Sequence, residues 1–260
     1  MPIIKNDMVN NLKTINYEKS LYGSAVFASL LVWQVLSGKV GTLFSQIILY
    51  EQIDPYDVFI GISIHHIVQM TLGLVLIAIL NKTLKIDFYL KLGDTKRGKN
   101  CLVVFTAAWA LISIVVHILL YAANQLPAYD FPLNGRNIIG TLGFQLLLTG
   151  TAEEIVYRAL PVTILVHSFG KSISIYKDIT LEVVLAAVLF SFAHAKLTLI
   201  PFDMEINYYS LLYSFMMGMI QGIVYQKTRS LVYPMLMHSF SNVLMTGTGY
   251  FFSLVVTKII

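Results

Sequence analysis

The sequence predicts an all-α fold, a polytopic transmembrane helical bundle of about seven to eight spans. Three observations carry that prediction. Of the 260 residues, 57% are hydrophobic and the mean hydropathy is +0.72. Charged side chains make up 12% of the chain, about half the ~25% of soluble domains and too few to cover a soluble surface. Apolar runs longer than ~18 residues recur, each long enough to cross a hydrocarbon layer of ~30 Å. A soluble enzyme, a disordered chain and a membrane β-barrel are thereby excluded, and the single cysteine, Cys101, excludes an internal disulfide.

The elements follow in chain order. The first twenty residues are polar, carry Lys5, Lys13 and Lys19, and lack the apolar core and cleavage site of a signal peptide, so the first span is expected to stay in the mature protein. Segment 21–50 contains Lys39 and is compatible with one tilted helix or two short ones. Segments 58–80 and 101–123 are plain apolar spans. Segment 138–168 is long for one crossing and holds Pro161, which would kink or end a helix; this leaves eight crossings open. Segments 179–195, 207–226 and 231–256 complete the set.

Under seven spans, thirteen of the eighteen lysines and arginines fall on one side, in the N-terminal segment, the 81–100 and 169–178 loops and the 227–230 turn. Arg136, Lys196 and Lys258 fall on the other side, and Lys39 and Arg158 lie inside spans. That asymmetry predicts a multi-pass protein of the plasma membrane with a cytoplasmic N-terminus. The net charge of +4 is assigned to orientation and anionic headgroups, not to nucleic acid. Lysine outnumbers arginine 14 to 4 and isoleucine and asparagine are plentiful, which points to a bacterial source.

Three spans carry polar groups that a lipid environment penalises. The fourth contains Glu153, Glu154 and Arg158, and an ionised side chain at mid-bilayer costs ~2.5–3.5 kcal/mol even on the lenient insertion scale. Glu154 and Arg158 are four apart and share a helical face, with the acid on the favourable N-terminal side. Glu153 points about 100° away. Glu154 is therefore the structural carboxylate and Glu153 the one left to act as a general base. The plainer alternative is a charge cluster that only fixes helix packing.

The fifth span ends with Phe190 and His194, and the seventh holds His238 and Asn242, each pair at i, i+4 spacing. His238 and Asn242 offer donors to one point, as an oxyanion hole requires. His194 is placed to orient or activate a water. His65, His66, His117 and His167 have no matching partner at helical spacing and are assigned to ordinary interhelical hydrogen bonds.

In order and spacing, E-E-x-x-x-R, F-x-x-x-H and H-x-x-x-N on separate apolar spans resemble the CPBP family of CaaX proteases and bacteriocin-processing enzymes, also called the Abi family. The resemblance falls on Glu153, Glu154 and Arg158, then Phe190 and His194, then His238 and Asn242, between about 138 and 246. One departure is Ala159, where the family usually has glycine after the arginine. The resemblance divides the chain into N-terminal spans of unassigned role (1–137) and a catalytic membrane core (138–260, with motifs within 150–246).

What the resemblance implies is an intramembrane endopeptidase acting on a peptide or membrane-protein substrate. Glu153 and His194 would activate a water, His238 and Asn242 would hold the oxyanion, and Glu154, Arg158 and Phe190 would support them. No cofactor is favoured. A metal-dependent alternative places Zn²⁺ on Glu153, His194 and His238. Rival readings are an ion-coupled transporter and a non-catalytic immunity or adaptor protein. One tension remains inside the seven-span topology: His194 falls near the outer end of its span and His238 nearer the cytoplasmic end, although converging residues must share a depth. Either the fifth helix runs on past Lys196 toward Pro201, or the span count is off by one.

Overall fold

The computed structural model describes residues 17–199 and 202–256. Lys5, Lys13, Lys258 and Pro201 lie outside them. Three helices come first, α1 (Tyr17–Ile47), α2 (Ile60–Leu84) and α3 (Thr95–Ala122), and all three are long and apolar enough to cross a membrane. A long helix α4 runs through 135–169, followed by α5 (Leu181–Ala193), α6 (Tyr208–Thr228) and α7 (Val232–Val256). Two small antiparallel hairpins interrupt the second half. One pairs β1 (Ser174–Tyr176) with β2 (Ile179–Thr180), and the other pairs β3 (Lys196–Leu199) with β4 (Phe202–Glu205).

Local chemistry sets the helix ends. The first N–H groups of a helix have no intrahelical acceptor and take one from a side chain. The buried Asp54 carboxylate accepts from the N–H groups of Val58, Phe59 and Ile60 at 3.0, 2.8 and 2.8 Å, which fixes the start of α2. Asp94, Asn134 and Asn207 accept in the same way from Arg97, Asn137 and Ser210 and start α3, α4 and α6. α1 is one continuous helix. Lys39 does not break it, because its ammonium leaves the helix axis and donates to the Leu197 carbonyl at 3.0 Å.

Pro161 neither ends nor splits α4. The helix widens into π turns at Gln145–Thr149 and Ile155–Ala159, on either side of the regular turn Gly150–Glu154. Pro161 follows the second π turn. Having no N–H, it cannot serve the carbonyl four residues back, and that carbonyl, on Tyr157, accepts instead from Arg158 Nη1 at 3.2 Å. The proline thus supplies a backbone acceptor for the one arginine buried in the fold.

Small residues let the helices approach. A Cβ built on Gly150 would lie 2.4 Å from the Met235 carbonyl and 2.5 Å from Ser239 Oγ, so only glycine admits α7 at this distance from α4. Gly218 brings α6 against α5, where a Cβ would sit 3.0 Å from Ala187 Cα. The largest apolar cluster joins α2, α4, α5 and α6 through Ile77, Ile155, Leu160, Val183 and Tyr225. Ala159, at the position where glycine was expected, is fully buried in that cluster.

α5 does not run on past Lys196 as one resolution of the depth conflict expected. Its 13 residues rise only ~20 Å at 1.5 Å each, short of a full hydrocarbon thickness. The helix stops at Ala193, and Lys196 already belongs to strand β3. His194 therefore caps α5 at an exposed position beside the ring of Phe190.

Candidate functional site

A cavity of about 340 Å³ opens between α2, α4, α5, α6 and α7. Glu153, His194, His238 and Asn242, the four residues singled out for chemistry, all line it. They come from three helices, so the spacing within each motif was informative and the convergence between motifs required the fold. Phe190 forms the floor. Its ring is edge-on to His194, with centroids 4.7 Å apart, and to His238 at 5.9 Å, and the Arg158 guanidinium carbon lies 4.1 Å over its face. One aromatic side chain thus sets the positions of both histidines and holds a cation.

The two adjacent carboxylates face different surroundings. Glu154 and Arg158 are completely buried and pair at 3.3 Å, as their i, i+4 spacing predicts. Arg158 also donates to Gln221 Oε1 at 2.6 Å and to the Tyr157 carbonyl. Glu154 Oε1 accepts from His238 Nδ1 at 2.9 Å. The supporting pair therefore reaches directly into the cavity by orienting the imidazole of His238. Glu153 turns into the cavity itself and keeps 16% of its side chain exposed.

Hydrogen-bond directions assign the imidazole nitrogens. His194 Nδ1 lies 2.9 Å from the Phe190 carbonyl; a carbonyl only accepts, so Nδ1 carries the proton and the neutral ring keeps a lone pair on Nε2. In His238, Nδ1 donates to Glu154, and Nε2 sits 3.6 Å from Glu153 Oε2.

His66 of α2 was assigned to ordinary interhelical bonding, and the structure gives that bond a partner the sequence did not predict. Its Nδ1 donates to the Ile62 carbonyl at 2.9 Å, and its Nε2 lies 3.0 Å from Glu153 Oε1. Because Nδ1 is already committed as a donor, Nε2 can donate to the carboxylate when the ring carries both protons. Each oxygen of Glu153 thus faces an imidazole, His66 on one side and His238 on the other. Nothing within α2 signals this, since the partner lies on another helix. Gln221, which fixes Arg158, was missed for the same reason. Of the other assignments, His65 makes its interhelical contact, to Thr42 Oγ1 at 3.3 Å, whereas the His117 Nδ1 bond to the Ser113 carbonyl at 2.8 Å stays within α3.

The metal alternative does not fit. Among the described residues, no group of three or more His, Cys, Asp or Glu side chains is arranged to hold a metal ion.

The chain matches no curated protein and no solved structure at a significant level of similarity. One family model does match, described as type II CAAX prenyl endopeptidase Rce1-like, over residues 135–244. That range contains every residue of the three motifs and leaves out α1, α2 and α3, and with them His66. Residues 135–244 are thus similar to the Rce1-like family, in agreement with the CPBP resemblance of the three motifs.

Proposed function

We propose that this protein is an intramembrane endopeptidase that hydrolyses a peptide bond in a peptide or membrane-associated protein. The single observation that carries the reading is the shared cavity, with a carboxylate, a histidine with a free nitrogen, and a second histidine and an asparagine one helical turn apart. The Rce1-like match over the same residues supports a protease.

In this reading a water sits between Glu153 and His194. His194 Nε2 and the Glu153 carboxylate take its proton as the oxygen attacks the scissile carbonyl. Charge then develops on the carbonyl oxygen, and His238 Nε2–H and the Asn242 amide donate to it. To donate from Nε2, His238 is protonated on both nitrogens, with Glu154 and Glu153 as its countercharges. The leaving amine recovers a proton from the Glu153 and His194 pair. His66 holds one oxygen of Glu153 so that the other faces the water. The cavity walls, Phe190 and Met217 among them, shield these charges from bulk solvent and strengthen each interaction.

The test uses the purified full-length chain in proteoliposomes with the membrane-protein fraction of its own source, read by mass spectrometry of newly formed N-termini. The reading predicts new termini with the wild type and none with Glu153→Gln. Ion flux across the vesicles without any new terminus would replace it with transport. A cellular phenotype that persists in Glu153→Gln, His194→Ala and His238→Ala would replace it with a non-catalytic adaptor or immunity role.

A further inference from the structure

At one end of the bundle three connections meet. Asp94 N–H donates to the Thr228 carbonyl, Leu231 N–H to the Tyr89 carbonyl, and Lys227 pairs with Asp178 of the β1–β2 turn at 2.5 Å. The segments 82–99, 171–177 and 227–229 gathered here hold ten of the eighteen lysines and arginines. Between them lies a cavity of about 440 Å³, separate from the one around Glu153.

Its composition is directional. Lys177, Lys227 and Arg229 stand around the mouth, with Asp178 the only carboxylate among the lining side chains, while Val162 and Val166 lie deeper. The polar wall groups have spent their donors on each other. Thr180 donates to Gln226, Gln226 and Ser172 donate to the buried Glu182, and Tyr225 donates to the Phe88 carbonyl. The donors left for a ligand are therefore cationic. Lys177 lies over the Tyr176 ring at 5.1 Å, and among the described residues Arg229 makes no ion pair.

Two of these cations also occupy unusual backbone. Lys177 (φ 48°) sits in a two-residue hairpin turn and Arg229 (φ 49°) caps α6, both in the left-handed region that favours glycine or asparagine. Lys85, outside the cavity, shares this conformation (φ 54°). Leu90 and Tyr176, chain neighbours of the lining residues Tyr89 and Lys177, are exposed, as is Leu92.

We propose that this cavity binds a phosphate-bearing anion, and that its source is the headgroup of an anionic phospholipid. Arg229, Lys177 and Lys227 receive the phosphate oxygens, and the valines and exposed leucines meet the glycerol and upper acyl chains. This site is independent of the peptidase reading.

The test is binding of dioctanoyl phosphatidylglycerol to the full-length protein in a neutral detergent, by native mass spectrometry and calorimetry. Dioctanoyl phosphatidylcholine, glycerol 3-phosphate and inorganic phosphate are the comparison ligands. One phosphatidylglycerol is expected per chain, with phosphatidylcholine at least tenfold weaker. Lys177→Gln with Arg229→Gln should weaken binding at least tenfold. Asp178→Asn, which frees Lys227 and removes the competing carboxylate, should tighten it severalfold; this variant reports even if the double substitution fails to fold. Lys82→Gln with Lys85→Gln, at the same end but outside the cavity, should change nothing. Equal loss in that control pair, or no tightening in Asp178→Asn, overturns the site. Glycerol 3-phosphate or phosphate binding as tightly as the lipid overturns the lipid assignment and supports a soluble phosphate ligand.

Discussion

Glu153 and Glu154 are consecutive residues on one helix, yet they belong to two different regions of the protein. On the Glu154 face everything is closed. Glu154 and Arg158 have no exposed surface; Arg158 reaches Gln221, the Tyr157 carbonyl and the Phe190 ring, Glu154 Oε1 takes His238, and Glu154 Oε2 and Arg158 Nε stay buried without a hydrogen-bond partner among the described residues. On the Glu153 face a cavity opens, and the carboxylate is held from both sides by imidazoles without being covered. A rotation of about 100° per residue separates a charge that holds the fold from a charge available for chemistry. Substitutions on the closed face should therefore act through stability, and substitutions on the open face through turnover.

The largest expected effect is on the closed face. Arg158→Met leaves the Glu154 carboxylate buried without its countercharge, and such losses cost ~3–5 kcal/mol. The variant should fail to accumulate as folded protein, read by thermal unfolding in detergent. Replacing both partners, Glu154→Gln with Arg158→Met, should recover part of that loss, because an unpaired charge is worse than none.

On the open face, His66→Ala should keep the unfolding midpoint within a few degrees and lower turnover on the order of tenfold to a hundredfold, the scale for misplacing a reacting group. The effect should fall on kcat more than on KM. His66→Gln, which retains a donor, should restore part of the rate. An unchanged rate in His66→Ala would confine the site to the 135–244 region.

A smaller effect is expected where the two faces are clamped by α7. Gly150→Ala places a methyl 2.4 Å from the Met235 carbonyl, so α7 must shift, at ~1–3 kcal/mol for overpacking, and His238 and Asn242 must move with it. Smaller again is the exposed pair in the α2–α3 connection. Its lysine hydrogen bond holds the Asp87 carboxyl below the usual carboxylate range, with Lys91 Nζ at 2.5 Å. A depressed carboxylate adds stability that is present above its unfolded value and lost as pH falls through its folded one. At this exposure Asp87→Asn should cost ~0–1 kcal/mol, visible only as a slightly flatter acid limb.

The sequence made the helical class legible because hydropathy and run length report directly on the solvent. It also separated Glu153 from Glu154, since helical periodicity alone assigns their faces. What stayed hidden depends on contacts between distant segments. α5 ends early because β3 begins at Lys196, and no apolar count detects that stop. Pro161 was read as a kink or an end, whereas a π turn absorbs it and its missing N–H leaves the Tyr157 carbonyl to Arg158. His66 looked ordinary because its partner comes from a helix far along the chain. Of the three N-terminal helices, assigned no role from sequence, α2 thus contributes Ile62 and His66 to the cavity.

The most direct test of the central claim compares Glu153→Gln with Glu154→Gln at matched expression, reading folded yield and new peptide termini in the membrane fraction. The account predicts that Glu153→Gln accumulates as folded protein and produces no new termini, while Glu154→Gln loses folded protein and keeps residual cleavage in proportion to what remains. A folded Glu153→Gln protein that still generates the wild-type termini would contradict it.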